Sequence, residues 1–393
     1  MKFGAVAFLR VCRLSRGLRL RVLAAMLALA QGSGVLAAQA IVMTRDNMAA
    51  VLAAVKPGDT VRLEGEFRDR FFIRDRDFGG VTFDASRAVL RNGMRLQRVH
   101  NLHVVGGTFY SPGIGDAIRV EHSSHISYAG LTIFGDGNRL GAGARVLDSS
   151  FVTLRDSLYE GLRNGAIFGR TTDSISVRNH FANGGEDGMK IADSHRIILS
   201  HNICTGFAPL PGYHADCLQL WSMPDRPLQT DIYLLNNYAH GPQQSFVSFT
   251  PVALSGMRLT FAGNYAATTT GHTITCNGCT DSVFLDNTLV ILPAARWGAV
   301  LKVNQANSSN RVANNSYFDL RGRFDAPLPD HVFSDLVPSI AGQVGSRWDD
   351  RSFGLRATAS VPEPDSWALL LAGFGLVGGV LRRRRVVAPA GAA

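Results

Sequence analysis

From about residue 90 the chain falls into short runs in which apolar and polar residues alternate with a period of two. Gly, Asn, Ser and Asp separate the runs, and no long helical period intervenes. Such alternation marks strands, because successive side chains leave opposite faces. One run recurs: "LSHNI" at 199, "LLNNY" at 234, "FAGNY" at 261, "FLDNT" at 284 and "VANNS" at 312, with a weaker copy "VRNHF" at 177. These copies put Asn202, Asn237, Asn264, Asn287 and Asn315 at one point of the repeat, and His180 in that place in the weaker copy. A period near 22 residues suits one coil of a solenoid, and the longer spacings suit coils with inserted loops. The expected fold is therefore all-β: a single-stranded right-handed parallel β-helix of roughly nine or ten coils, with its core over residues 91–320. An Asn at each tight turn tolerates left-handed backbone angles, and stacked amides make a ladder.

A second strand precedes this one in each coil: "DAIRV" at 116, "GAIFG" at 165, "DGMKI" at 187, "DCLQL" at 216, "SFVSF" at 245 and "HTITC" at 272. The alternation points Ile118, Ile167, Met189, Leu218, Val247 and Ile274 inward. Arg119, Phe168, Lys190, Gln219, Ser248 and Thr275 then face outward. Asp116, Gly165, Asp187, Asp216, Ser245 and His272 form a third column. Strands of adjacent coils lie about 4.8 Å apart, so Asp187 and Asp216 become neighbours despite their distance in sequence.

Residues 41–90 are expected to hold a cap and the first coils, because "TRDNMAAVLAAVKPGDTVRLEGEF" reads as an amphipathic helix, a Pro-Gly turn and a strand. A capping helix would cover the open end of the stack. Together with the coils, "KPGDTVRLEGEF" resembles the opening of the pectate-lyase-like superfamily of secreted polysaccharide lyases, which includes alginate lyases and chondroitinase B. The resemblance implies carbohydrate activity. The acidic calcium cluster and separate Lys/Arg pair of chondroitinase B have no counterpart at matching spacing, so no catalytic residue is carried over.

The ends carry export signals. Lys2, Arg10, Arg13, Arg16, Arg19 and Arg21 precede "VLAAMLALA", which reads as a signal peptide cleaved after Ala40 by signal peptidase. After a C-terminal cap and linker over residues 321–361, residues 362–393 combine Pro362, Glu363 and Pro364 with an apolar run from Trp367 to Leu381 and four arginines. This tail resembles the PEP-CTERM sorting signal. It implies an exosortase as processing partner, transient membrane association through a transmembrane segment, and a periplasmic, cell-surface or extracellular destination in a Gram-negative bacterium. A plain membrane anchor is the alternative reading, and it leaves the protein outside the inner membrane too.

Removing these ends changes the electrostatic picture. The whole chain has a pI near 9.7. Ten of its 40 Lys and Arg and two of its 31 acids lie in the leader and tail, which leaves residues 41–361 at about +1. Nucleic acid is thereby excluded as an expected partner. Cys204, Cys217, Cys276 and Cys279 remain in an oxidising compartment, where disulfides or buried thiols are favoured over a metal site.

The candidate chemistry centres on "EDGMKI" and "YHADCLQLW". One Asp at the start of a strand serves a turn, but two in consecutive coils repel unless they bind a cation or share a proton. The candidate catalytic residues are Asp187, Lys190, His214 and Asp216. Glu186, Asp187 and Asp216 are candidate ligands for a cation such as Ca2+. Arg119, Arg145, Tyr213, Gln219 and Trp221 are candidate substrate contacts, and the insertion "TGFAPLPGYHAD" is expected as a loop on the binding face. Three readings follow: a lyase that cleaves a uronate-containing polysaccharide by β-elimination, a glycoside hydrolase using the paired aspartates, and a non-catalytic polysaccharide-binding matrix protein.

Overall fold

The computed structural model describes residues 41–222, 226–248, 255–295, 298–304, 309–317 and 319–322. The expected signal peptide, most of the C-terminal cap and linker, and the sorting tail with its apolar run lie outside these residues. Among the described residues, no helix is long and apolar enough to cross a membrane.

The described chain is an all-β parallel solenoid of about 11 turns, slightly more than the spacing of repeats suggests. The stack begins within residues 60–110. There the long strands Thr60–Phe67, Phe71–Leu90 and Met94–Val105 stack in parallel without the Asn signature used to count coils. The single short helix, Met48–Ala54, has no buried residue. Arg76 anchors it by donating to the carbonyl oxygens of Leu52 and Val55.

On the first sheet, Met94, Ile118, Ala144, Ala166, Met189, Leu218, Phe246, Ile274 and Leu301 are in register and buried. The outward column is Arg95, Arg119, Arg145, Ile167, Lys190, Gln219, Val247, Thr275 and Lys302. Two coils thus differ from the sequence expectation by one residue. Ile167 and Val247 face outward, while Phe168 and Ser248 face the core. In the third column, Asn164 and Gln244 take the places expected for Gly165 and Ser245. The physical reason is that "AIF" and "FVSF" are apolar on both parities, so alternation does not fix their register.

The ladder forms as expected over its strong copies. The backbone N–H groups of Asn202, Asn237, Asn264 and Asn287 each donate to the side-chain oxygen of the next ladder Asn, at 2.9–3.0 Å. In the weaker copy the ladder residue is Asn179, not His180: Asn179 N–H donates to Asn202 Oδ1 at 3.1 Å. The left-handed backbone position is the residue just before each ladder Asn, as at Asn236 and Asp286 with φ near +54°. The ladder amides therefore bridge buried backbone groups between coils, and a different residue makes the turn. At exposed left-handed corners, arginines reach back to an aspartate one coil earlier, as in Arg170–Asp148 and Arg196–Asp173, with both bonds at 2.6–2.7 Å.

The four cysteines pair as Cys204–Cys217 and Cys276–Cys279. Both bonds are buried, and the first joins the strand Ile203–Thr205 to the strand Asp216–Trp221.

Candidate active site

The insertion at 206–215 lengthens the coil between Asp187 and Asp216. It is not free: Ala208 and Leu210 N–H donate to Gly184 and Gly185 carbonyls at 3.0 and 2.9 Å, and the Cys204–Cys217 disulfide closes it. Gly188, next to Asp187, permits this closure. A Cβ there would lie 2.9 Å from Cys204 Sγ and 2.5 Å from the Cys217 carbonyl oxygen. The loop delivers Tyr213 and His214 to the point where Asp187 precedes the strand Met189–Ala192 and Asp216 begins the strand Asp216–Trp221.

Asp187 and Asp216 do meet. Asp216 N–H donates to Asp187 Oδ1 at 3.3 Å, and neither side chain is exposed. Burial, then the neighbouring Asp216 charge, pushes the Asp187 carboxyl up to about 8, against the opposing pull of Lys190. Asp187 therefore favours its neutral form in this pair, as two close buried carboxylates require. Asp216 is differently supplied: Gln219 Nε2 donates to Asp216 Oδ2 at 2.7 Å, and His214 Nε2 lies 3.3 Å from the same oxygen. That carboxylate raises the affinity of His214 for its proton, against desolvation.

The groups that reach solvent are the partners of these acids. Lys190 Nζ is 3.6 Å from Asp187 Oδ2 and 5.6 Å from the Trp221 ring centroid, with the lysine side chain 28% exposed. His214 is 57% exposed. Tyr213 is exposed, and the Arg163 guanidinium lies 4.6 Å over its ring. Gln219, expected to touch substrate, is buried and donates its amide to Asp216 Oδ2.

The expected cation set does not assemble. Glu186 is held by Arg163 and by Asn164 Nδ2 at 3.3 Å, and Lys190 already supplies a positive charge beside Asp187. Among the described residues no group of three or more His, Cys, Asp or Glu side chains forms a metal cradle.

Arg119 and Arg145 share the outward column of Lys190, but internal acids hold them. Arg119 pairs with Asp116 at 3.0 Å and Glu121 at 2.7 Å, and Arg145 pairs with Asp116 at 2.9 Å. Arg145 lies two coils from Lys190, roughly 10 Å along the stack. Sequence reasoning missed Arg163 and Asn164. Asn164 lies one residue before Gly165, so the correct register of its strand would have placed it beside Asp187.

No curated protein matches the sequence. Solved structures match it over most of its length. The A-module of the mannuronan C-5 epimerase AlgE6 from Azotobacter vinelandii is 12% identical with a TM-score of 0.56, covering 73% of this chain and 87% of that one. The Dettilon tailspike protein is 14% identical at 0.53, covering 72% and 59%. PfbA, a surface adhesin of Streptococcus pneumoniae, is 10% identical at 0.50, covering 68% and 80%. At these identities the likeness is one of fold. The chain shares the parallel β-helix fold of these structures. Residues 360–385 match the PEP-CTERM protein-sorting motif, which marks the chain for export.

Proposed function

We propose that the exported β-helix is a polysaccharide lyase acting on a uronate-containing polymer, with His214 as base and Lys190 facing the sugar carboxylate. The observation that carries this reading is the division between buried acids and exposed partners. Asp187 and Asp216 have no exposed side-chain surface, whereas His214 and Lys190 do. A group that exchanges a proton with substrate must come within hydrogen-bond reach of it. The acids act through the exposed pair: Asp216 orients the imidazole, and Asp187 positions the ammonium.

In the elimination, neutral His214 takes the C5 proton. The C5–H electron pair forms the C4–C5 double bond, the C4–O bond breaks, and the departing glycosidic oxygen takes a proton from water. Lys190 offsets the charge that develops on the carboxylate as C5 loses its proton. The choice of a uronate polymer also draws on the likeness of the fold to a mannuronan C-5 epimerase module.

A hydrolase is the second reading, favoured by one fact: the Asp187 carboxyl is pushed up beside a second carboxylate, as a general acid requires. Incubating the secreted protein with uronate and neutral polysaccharides separates the outcomes. Absorbance of unsaturated ends supports the lyase, and new reducing ends without it select hydrolysis. Deuterium uptake at C5 with the chain intact selects epimerisation, and no change with any polymer supports a binder.

A further inference from the structure

We propose that the outer edge of the stack formed by the strands Thr108–Tyr110, Thr132–Phe134, Leu158–Glu160, His180–Ala182 and Ile203–Thr205 holds a second, non-catalytic site for a pyranose chain. The last residues of its strands form an in-register column, Tyr110, Phe134, Glu160, Ala182 and Thr205. Beside it lies an open groove of about 440 Å³ lined by Phe134, Arg139, Glu160, Asn183 and Ala208 with intervening glycines. Its volume lies within the range of small-ligand sites.

The chemistry of the walls selects the ligand class. Phe134 is half-buried and packs against Tyr110 with ring centroids 5.6 Å apart, and Arg91 lies 4.4 Å over the Tyr110 ring. This places a fixed aromatic surface at one end of the groove, suited to the C–H face of a sugar ring. At the next coil Glu160 Oε1 accepts from Asn183 Nδ2 at 2.6 Å, which orients a carboxylate and an amide side by side for neighbouring hydroxyls. Arg139 donates to the Ala208 carbonyl at 2.9 Å and closes the wall. Coils repeat at about 4.8 Å, comparable to the rise of one pyranose in an extended chain, so an oligosaccharide lying along the column would meet the aromatic pair and the Glu160–Asn183 pair with successive sugars.

The lining residues of the groove include none of Asp187, Lys190, His214 and Asp216; Gly206 and Ala208, which line it, begin the loop that goes on to Tyr213 and His214. A polymer held here is retained whatever reaction occurs at His214, so this inference goes beyond the elimination reading.

The test uses the secreted protein carrying His214→Ala, which removes turnover, and measures binding of hexasaccharides of mannuronate, galacturonate and cellulose by calorimetry. At least one hexasaccharide is expected to bind, and Phe134→Ala in that background is expected to weaken it about tenfold, the effect of losing one ring contact. Glu160→Gln keeps the side-chain shape and guards against a folding artefact, and it is expected to weaken the same ligand. In the protein with His214 intact, both groove substitutions are expected to leave turnover of short substrates unchanged. The proposal is overturned if none of the three hexasaccharides binds, or if both groove variants bind as tightly as their parent. Loss of turnover in His214→Ala alone bears only on the elimination reading.

Discussion

His214 Nε2 lies 3.3 Å from Asp216 Oδ2, joining an imidazole that is 57% exposed to a carboxylate with no exposed side-chain surface. The disulfide-closed loop supplies the histidine and the strand supplies the acid, so the contact exists only when the coil is closed. Since Asp216 stabilises the protonated ring, the neutral base becomes abundant at a higher pH than for a free imidazole.

The first expectation concerns pH. Turnover should rise with pH through the raised pKa of His214. Asp216→Asn removes the charge that raises it, so the acidic limb of the kcat/KM profile should move to lower pH. An unmoved limb would mean that the imidazole is not the titrating base. His214→Ala should lower kcat by about a hundredfold or more.

Stability should depend on pH through Asp187. Its carboxyl is raised in the folded state, so the folded state binds the extra proton and stability is lost as pH rises from about 4 through 8. Asp187→Asn cannot ionise. Its melting temperature relative to the parent should therefore climb across that window and match it in acid. Parallel melting curves at every pH would contradict the buried, raised carboxyl.

The ladder and the corner ion pairs should differ in worth. Asn237→Ala leaves the Asn202 N–H and the Leu199 carbonyl without their buried partner, which should cost roughly 3 kcal/mol in urea unfolding. Arg178→Ala breaks a partly exposed pair with Asp156 and should cost about 1 kcal/mol or less.

Closing the 13-residue span between Cys204 and Cys217 should matter more to the site than to the stack. Replacing both by Ser releases a loop-closure constraint of about 3 kcal/mol in the chain-entropy picture. Far-UV circular dichroism should be retained while kcat falls, because His214 loses its fixed distance to Asp216. Full turnover in the double variant would show that other contacts suffice.

Intact-mass measurement of the exported protein is expected to show loss of residues up to about Ala40 and of the tail beyond the Pro-Glu-Pro motif. Full-length mass in the inner membrane would count against both processing steps.

The sequence by itself determined the solenoid, the strong part of the Asn ladder and the meeting of Asp187 with Asp216. A repeat imposes one geometry on many copies, so a fixed offset between an apolar strand and an amide reports a stacked position. The same logic failed where a copy was degenerate. "VRNHF" contains Asn beside His, and "GAIFG" and "SFVSF" are apolar on both parities, so only packing chose Asn179, Asn164 and Gln244. Tertiary structure alone decided which groups reach solvent. Arg119 and Arg145 stand in the expected column yet are bound by Asp116 and Glu121, and Gln219 is turned from a substrate contact into a prop for Asp216. Those partners lie on the same strand or one coil away, and alternation alone does not say whether an outward side chain turns to solvent or to such a neighbour.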